Sequence, residues 1–275
     1  MEIIVPAVIA HGGAGPGPKR QKNLEIAVQK AASILTSGGT ALEAAVEACV
    51  ILEDDPVFNA GTGSVIRTDG SVLTDASIQV GDGRVGFVIA MEDTPNPIRV
   101  AADLLDEEIN GLTSAGARLW ADQRSHLNAK VEGRSPEGQI GDENAEITGD
   151  TIGVIARDNT GMIVVATSTG GCSYRPPGRV GDVPLPGSGF WAEDCLAVAA
   201  TGIGEAITRA LLSNKVYERI KNKGTSLEES MRWGLDTLIS PEYSVGLIAL
   251  GPNGSGIGVS NTDMPWATWE ADSNE

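Results

Sequence analysis

The chain holds few of the side chains from which most hydrolytic and binding sites are built. Only two of its 275 residues are histidine, His11 and His126, and neither stands near a convincing nucleophile in the sequence, so a Ser-His or Cys-His arrangement has little to draw on. The three cysteines, Cys49, Cys172 and Cys195, are odd in number and widely spaced, which excludes a disulfide framework and offers no paired zinc ligands. Such usage fits a reducing compartment, so a cytoplasmic location is expected. Lys and Arg number 20 against 37 Asp and Glu, for a formal net charge of −17. With no basic patch to meet phosphates, nucleic acid is excluded as a partner. No apolar run approaches the roughly 20 residues that cross a bilayer, so no membrane partner is expected. Ile3 to Ala10 is apolar but lacks a basic start, and reads as a first strand.

What is present is a chain with 41% hydrophobic residues, enough to bury a large core, with no internal repeat and no second domain. Apolar periodicity predicts helices over Leu24–Leu35 and Ala41–Leu52, the second opened by the capping-box pattern Thr40-Ala41-Leu42-Glu43. Strands are predicted at Val65–Ile66, Val72–Val80 and Val85–Ala90, with turns at Asp69-Gly70 and Asp82-Gly83. Helices follow at Ile98–Ile109 and Ala115–Ser125. From about Leu127 to Asp150 periodicity fades and Gly, Glu, Asn and Pro dominate, as in a flexible linker. Beyond it, helices are predicted at Asp194–Ala200, Ile203–Lys221 and Ser226–Ile239, strands at Val245–Leu250 and Gly256–Val259, and a polar tail from Trp266 to Glu275. This mixture reads as layered α+β structure.

At the end of the linker, Gly149-Asp150-Thr151-Ile152-Gly153-Val154-Ile155-Ala156 passes abruptly from polar residues to an apolar strand. Read locally, Thr151 is an ordinary strand threonine. If the chain is cut just before it, Thr151 gains an α-amino group with an ordinary pKa of roughly 7.7–8.0 beside its own hydroxyl. Nucleophile and base are then one residue. A second apolar run, Met162 to Ala166, ends in Thr167-Ser168-Thr169-Gly170-Gly171; Pro177-Gly178-Arg179-Val180-Gly181-Asp182 and Ala200-Thr201-Gly202-Ile203-Gly204-Glu205 follow.

With His11-Gly12-Gly13-Ala14-Gly15 and Phe58-Asn59-Ala60-Gly61-Thr62-Gly63-Ser64 upstream, these ordered motifs resemble the plant-type L-asparaginase and isoaspartyl peptidase family, N-terminal-nucleophile hydrolases related to glycosylasparaginase. The resemblance covers nearly the whole chain. It implies a four-layer αββα sandwich of residues 1–275, cut between Asp150 and Thr151 into an α part (1–150) and a β part (151–275), and a dimer of cleaved units. Thr151 matches the nucleophile, and Thr169 the threonine that orients it. Arg179 and Asp182 match the pair that holds a substrate's α-carboxylate and α-amino groups, with Gly202 and Gly204 lining the same pocket. Thr201 and Gly202 match the oxyanion hole, and Asn59 a support for the nucleophile. The backbone carbonyls of Leu52, Glu53, Asp55, Phe58, Ala60 and Thr62 match a loop that wraps a structural sodium ion, and no other cofactor is implied. Ile203 departs from the family, which usually carries Asn there.

The implied substrate is small: L-asparagine or a β-aspartyl dipeptide. The residues alone leave blander readings open. Thr169 can be a strand-end turn residue, Arg179 and Asp182 a surface pair, and Thr201 the N-cap of a helix from Ile203 to Leu212. Asp150 before the nucleophile also admits glycosylasparaginase, and a binding protein that keeps the fold without maturing stays open. A related threonine endopeptidase is disfavoured, because a mid-chain residue offers no free α-groups to Arg179 and Asp182. Three weaker motifs read as structure: Gly81-Asp82-Gly83-Arg84-Val85-Gly86 as a hairpin turn, the Gly12–Gly17 stretch as a loop beside the active site, and Asn253-Gly254-Ser255 as a turn.

Overall fold

The computed structural model describes residues 4–15, 19–135 and 151–272. Asp150 and the part of the expected linker from 136 onward lie outside the described residues. Strand β1 (Ala7–His11) leads to helices α1 (Gln21–Thr36) and α2 (Ala41–Asp54). Strands β2 (Thr74–Val80) and β3 (Val85–Met91), helix α3 (Pro97–Asp103), strand β4 (Gly111–Thr113) and helix α4 (Ser114–Gln123) complete the first part. The second part runs β5 (Ile152–Arg157), β6 (Ile163–Thr169), β7 (Phe190–Glu193), β8 (Leu196–Gly202), α5 (Gly204–Ala210), α6 (Leu212–Lys223) and α7 (Leu227–Leu238). It closes with β9 (Val245–Leu250), β10 (Ile257–Ser260) and β11 (Trp266–Glu270).

The strands form a seven-stranded sheet, β11-β1-β5-β6-β2-β3-β4, and a four-stranded sheet, β10-β9-β8-β7. Alternate side chains leave opposite faces of a strand, and here both faces are covered. Val8, Ala10, Val154, Ala156, Val164, Ala166 and Ile78 pack with the apolar faces of α1, α2 and α3. Their neighbours Ile9, Ile155 and Val165 meet Phe190, Ala197, Ala199 and Ile248 of the smaller sheet. On the far side of that sheet Val198, Ala200, Leu247 and Ala249 pack against Ala206, Val216, Tyr217, Met231 and Leu235 of the last three helices. The order helix, sheet, sheet, helix is the four-layer αββα sandwich.

The capping box at α2 forms as the sequence predicts: Glu43 N–H donates to Thr40 Oγ1 at 3.2 Å, and Thr40 N–H donates to Glu43 Oε2 at 2.9 Å. Such a cap contributes about 1 kcal/mol. Several expectations are corrected. Asp194–Ala200 is no helix but the turn and second strand of the β7–β8 hairpin, with Asp194 at φ 55. The Ala-rich run is buried on both faces, so it shows neither period clearly. Trp266–Glu270 is no tail; it pairs antiparallel with β1 along its whole length. The helix expected over Ile203–Lys221 breaks at Leu211, which is left-handed at φ 49. There Ser213 and Asn214 donate their N–H groups to Ser188 and Gly187 carbonyls, which end-cap α6 in place of a side chain. Val65–Ile66 makes only an isolated bridge to Arg134, and the helix expected to Ile109 ends at Asp103 before a 3-10 turn.

Candidate active site

The nucleophile hairpin comes first. β5 pairs antiparallel with β6, Ile152 opposite Ser168, so Thr151 stands one step further along, beside Thr169. Thr151 Oγ1 donates to Thr169 Oγ1 at 3.3 Å, and Thr169 Oγ1 accepts from Gly171 N–H at 3.0 Å. Both threonines are buried. Asn59 fastens the turn that follows: its Nδ2 donates to Gly171 O at 2.6 Å, its Oδ1 accepts from Val65 N–H at 3.0 Å, and its own carbonyl accepts from Gly170 N–H at 2.9 Å. Gly170 and Gly171 allow this close approach, because a Cβ at either would run into Ser64 or the Arg67 guanidinium.

His11, which the sequence sets far from any nucleophile, is brought beside Thr151. β1 pairs with β5 so that His11 faces Gly153, and the imidazole fills the space a Gly153 side chain would occupy. Its Nδ1 accepts from Gly13 N–H at 3.2 Å. Burial drives its pKa down to about 3, against the pull of the Thr151 backbone and with help from the Arg20 charge. At neutral pH it is uncharged, a poor base that serves as a packed wall.

The anchoring loop lies beside the N-terminal end of α5. Arg179 donates from Nε and Nη2 to the two Glu205 carboxylate oxygens at 3.1 and 2.8 Å, a fork-to-fork pair. Glu205 escaped the sequence reading. Burial opposes its charge, but the Arg179 bonds outweigh that and hold its pKa below the usual value. Asp182 is buried, and its Oδ2 has no hydrogen-bond partner among the described residues. Burial raises its pKa to about 7, with its own backbone N–H and Arg179 working the other way. A Cβ on Gly204 would lie 2.7 Å from Asp182 Oδ1 and 2.9 Å from Arg179 Nη2, so glycine keeps open the space where the two charged groups converge.

Thr201 and Gly202 end β8. Thr201 is fully buried with its hydroxyl unpartnered among the described residues, which is costly unless something else occupies that position. Gly202 has φ +126, and a Cβ there would strike the Ser244 carbonyl. The N-cap of α5 is Ile203, not Thr201, so the capping role considered for Thr201 is set aside.

The segment from 52 to 62 begins in the last turn of α2, where the final helical carbonyls, those of Leu52 and Glu53 among them, lack partners within the helix. The Glu53 carbonyl oxygen lies 2.5 Å from where a Gly61 Cβ would stand, and the Phe58 carbonyl crowds Gly63 in the same way. Asp55 O accepts from Phe58 N–H at 3.2 Å and Ala60 O from Gly63 N–H at 3.1 Å, each keeping a second lone pair. Neutral oxygens crowded round two glycines suit a hard cation.

A threonine heading a central strand of an αββα sandwich, with a partner hydroxyl on the adjacent strand, defines an N-terminal-nucleophile hydrolase architecture. A family model described as Asparaginase matches residues 4–126 and 110–275. The chain belongs to that family. It is 34% identical to the bovine isoaspartyl peptidase/L-asparaginase over 95% of this chain and 92% of the relative. It is 35% identical to the isoaspartyl peptidase/L-asparaginase of Nostoc over 92% of this chain and 87% of the relative. A plant-type L-asparaginase of Pyrobaculum calidifontis is 35% identical over 79% and 80% of the two chains.

Proposed function

We propose that this chain hydrolyses the side-chain amide of L-asparagine and the β-aspartyl bond of isoaspartyl dipeptides, after cutting itself between Asp150 and Thr151. The relatives' names support both substrates. The observation that carries the reading is the Thr151 hydroxyl set 3.3 Å from that of Thr169 at the head of β5. Once its α-amine is free, Thr151 is base and nucleophile together: the amine takes the hydroxyl proton and Oγ1 attacks the β-carbonyl carbon. The unpartnered Thr201 hydroxyl and the Gly202 N–H meet the oxyanion, each such donor contributing about 10²–10³ in rate. The ammonium that Thr151 has become returns its proton to the departing ammonia or amine, leaving a β-aspartyl ester. Water, deprotonated by the same amine, hydrolyses the ester. Arg179 takes the α-carboxylate and Asp182 the α-ammonium. The test is release of ammonia from L-asparagine and of aspartate from a β-aspartyl dipeptide, with N-acetyl-L-asparagine as the control. The acetylated compound lacks the ammonium, so its hydrolysis at a comparable rate would contradict the assignment of Asp182.

Asp182 also sets a pH dependence. Its pKa, raised to about 7, means the carboxyl is neutral below that value and charged above it. Only the charged form pairs with an ammonium, so below about pH 7 the loss of Asp182 charge adds to protonation of the Thr151 amine and kcat/KM for L-asparagine falls towards about two decades per pH unit, whereas an ordinary Asp would stay charged to about pH 4 and leave a fall of about one decade per unit. A kcat/KM profile that falls by no more than about one decade per pH unit between about pH 6.5 and about pH 5 would contradict this. Gly204→Ala places a methyl group between Arg179 and Asp182. We expect maturation to proceed and KM for L-asparagine to rise about tenfold or more, a loss of about 1.4 kcal/mol of substrate binding, read by steady-state kinetics.

The same proposal includes a sodium ion held by the carbonyls of Leu52, Glu53, Asp55, Phe58, Ala60 and Thr62, which would brace the loop that carries Asn59. A dimer of cleaved α/β units belongs to it as well. Three unpaired cysteines support a reducing, cytoplasmic setting. Among the described residues no helix is long and apolar enough to cross a membrane.

A further inference from the structure

β6 lies between β5 and β2, and the registers on its two sides line up. Asp75 of β2 stands directly opposite Thr169. Thr151 stands on the other side of Thr169, one step beyond the Ile152–Ser168 pair. Thr151, Thr169 and Asp75 therefore form one row across three neighbouring strands, with side chains on one face of the sheet. The backbone is distorted at the end of this row. The β2–β3 register shifts between Thr74 and Ala76, so that Ile89 and Ala90 together face Asp75. Ala90 adopts φ 51, a conformation that L-residues other than Asn and Asp rarely take, and its N–H donates to Asp75 Oδ1 at 2.7 Å. Bulges of this kind re-aim groups next to active sites.

The remaining atoms are left unsatisfied. Asp75 is buried, and its Oδ2 has no partner among the described residues. Arg67 is also buried, with Nε and Nη1 unpartnered there, and its guanidinium lies on Gly171 of the turn that supplies an N–H to Thr169. The charges facing Asp75 are Arg67, from the loop before β2, and Arg179 with Asp182, from the loop after β6. On the β6 side it faces Thr169 across the strand register, and on the β3 side it accepts from the Ala90 N–H.

We propose that Asp75 is a positioning residue for catalysis: its carboxylate ends the Thr151–Thr169–Asp75 row and stabilises the ammonium that Thr151 becomes when its amine takes the hydroxyl proton, while Arg67 opposes this charge and limits the effect. The proposal rests on the reading of Thr151 as base and nucleophile. Burial raises the Asp75 pKa to about 6, despite the Ala90 N–H and Arg67, so the carboxylate is charged where a free threonine amine is neutral. Two strand spacings of about 4.8 Å separate Asp75 from Thr151. At that distance, a unit charge inside a protein moves a neighbouring pKa by about 0.5–1 unit.

The test is the pH profile of kcat with L-asparagine at saturation, where substrate already engages Asp182, together with a mass measurement of maturation. Asp75→Asn is expected to mature, to lose about 3- to 10-fold in kcat with KM within about threefold, and to move the acid limb of kcat down by about 0.5–1 unit. Asp75→Glu is expected to bring part of the rate and the limb back. Arg67→Met removes the opposing cation and is expected to move the limb upward, which keeps the proposal testable should Asp75→Asn fail to fold. If the wild type turns over L-asparagine and neither the Asp75 variants nor Arg67→Met shift the limb, the assignment of Asp75 is overturned while the nucleophile assignment stands. Should the mature wild type not turn over L-asparagine at all, the underlying reading of the site fails with it.

Discussion

Thr151→Ala is expected to remain a single chain of 275 residues and to lose amide hydrolysis by a factor on the order of 10⁴–10⁶. One hydroxyl is asked to perform two reactions. In the proposed maturation it attacks the carbonyl of Asp150 and converts the peptide bond to an ester that water opens; in the proposed turnover it attacks the substrate amide. Alanine removes both steps, and no neighbour replaces them: Thr169 keeps an α-amino group locked in a peptide bond, and His11, with its pKa near 3, is a poor base at neutral pH. Thr151→Ser retains a hydroxyl on the same residue and is expected to keep part of both reactions. The check is intact mass beside ammonia release. A Thr151→Ala protein that is fully active and uncut would remove Thr151 from the mechanism.

Arg179→Ala is expected to mature normally and to lose about 30- to 150-fold in kcat/KM for L-asparagine, mostly through KM. The substitution removes the planar fork that would grip a carboxylate and leaves Glu205, now without its pair at 3.1 and 2.8 Å, facing the substrate's own negative charge. Truncating one partner of a hydrogen-bonded charge pair costs roughly 2–5 kcal/mol when it is buried. Glu205 keeps 39% of its side-chain area exposed, which places the loss at the lower end of that range. Arg179→Lys keeps the charge without the fork and is expected to recover only a small part. Unchanged kinetics in Arg179→Ala would take Arg179 out of the substrate pocket.

Much of the proposed site was legible in the sequence because its residues sit in short, ordered motifs that match the family's, with glycines where the backbone must come close. Thr151, Thr169, Arg179, Asp182, Thr201 and Asn59 could all be found that way, and the fold brings the first two within 3.3 Å. The capping box at Thr40 was legible for a local reason, since donor and acceptor lie within one turn of helix. What escaped depends on pairing across the sheet. His11 reaches Gly153 only through the β1–β5 register, and Asp75 reaches the row of Thr151 only through β6. His11 heads a glycine-rich motif that says nothing of its contact with Gly153, and Asp75 carries no local signal. Asp194–Ala200 was misread because a strand buried on both faces loses its alternation, and Trp266–Glu270 because an edge strand exposes enough polar surface to pass for a tail. Leu211 breaks a helix through a left-handed backbone that no glycine or proline announces.

The central claim is that Thr151 becomes an N-terminal residue. Intact mass and N-terminal sequencing of the purified wild-type chain after incubation test it most directly. Two fragments, one beginning Thr151-Ile152-Gly153, with ammonia released from L-asparagine in step with their appearance, is the expected result. A chain that hydrolyses L-asparagine while it stays intact, or one that is cut elsewhere and active, would contradict it.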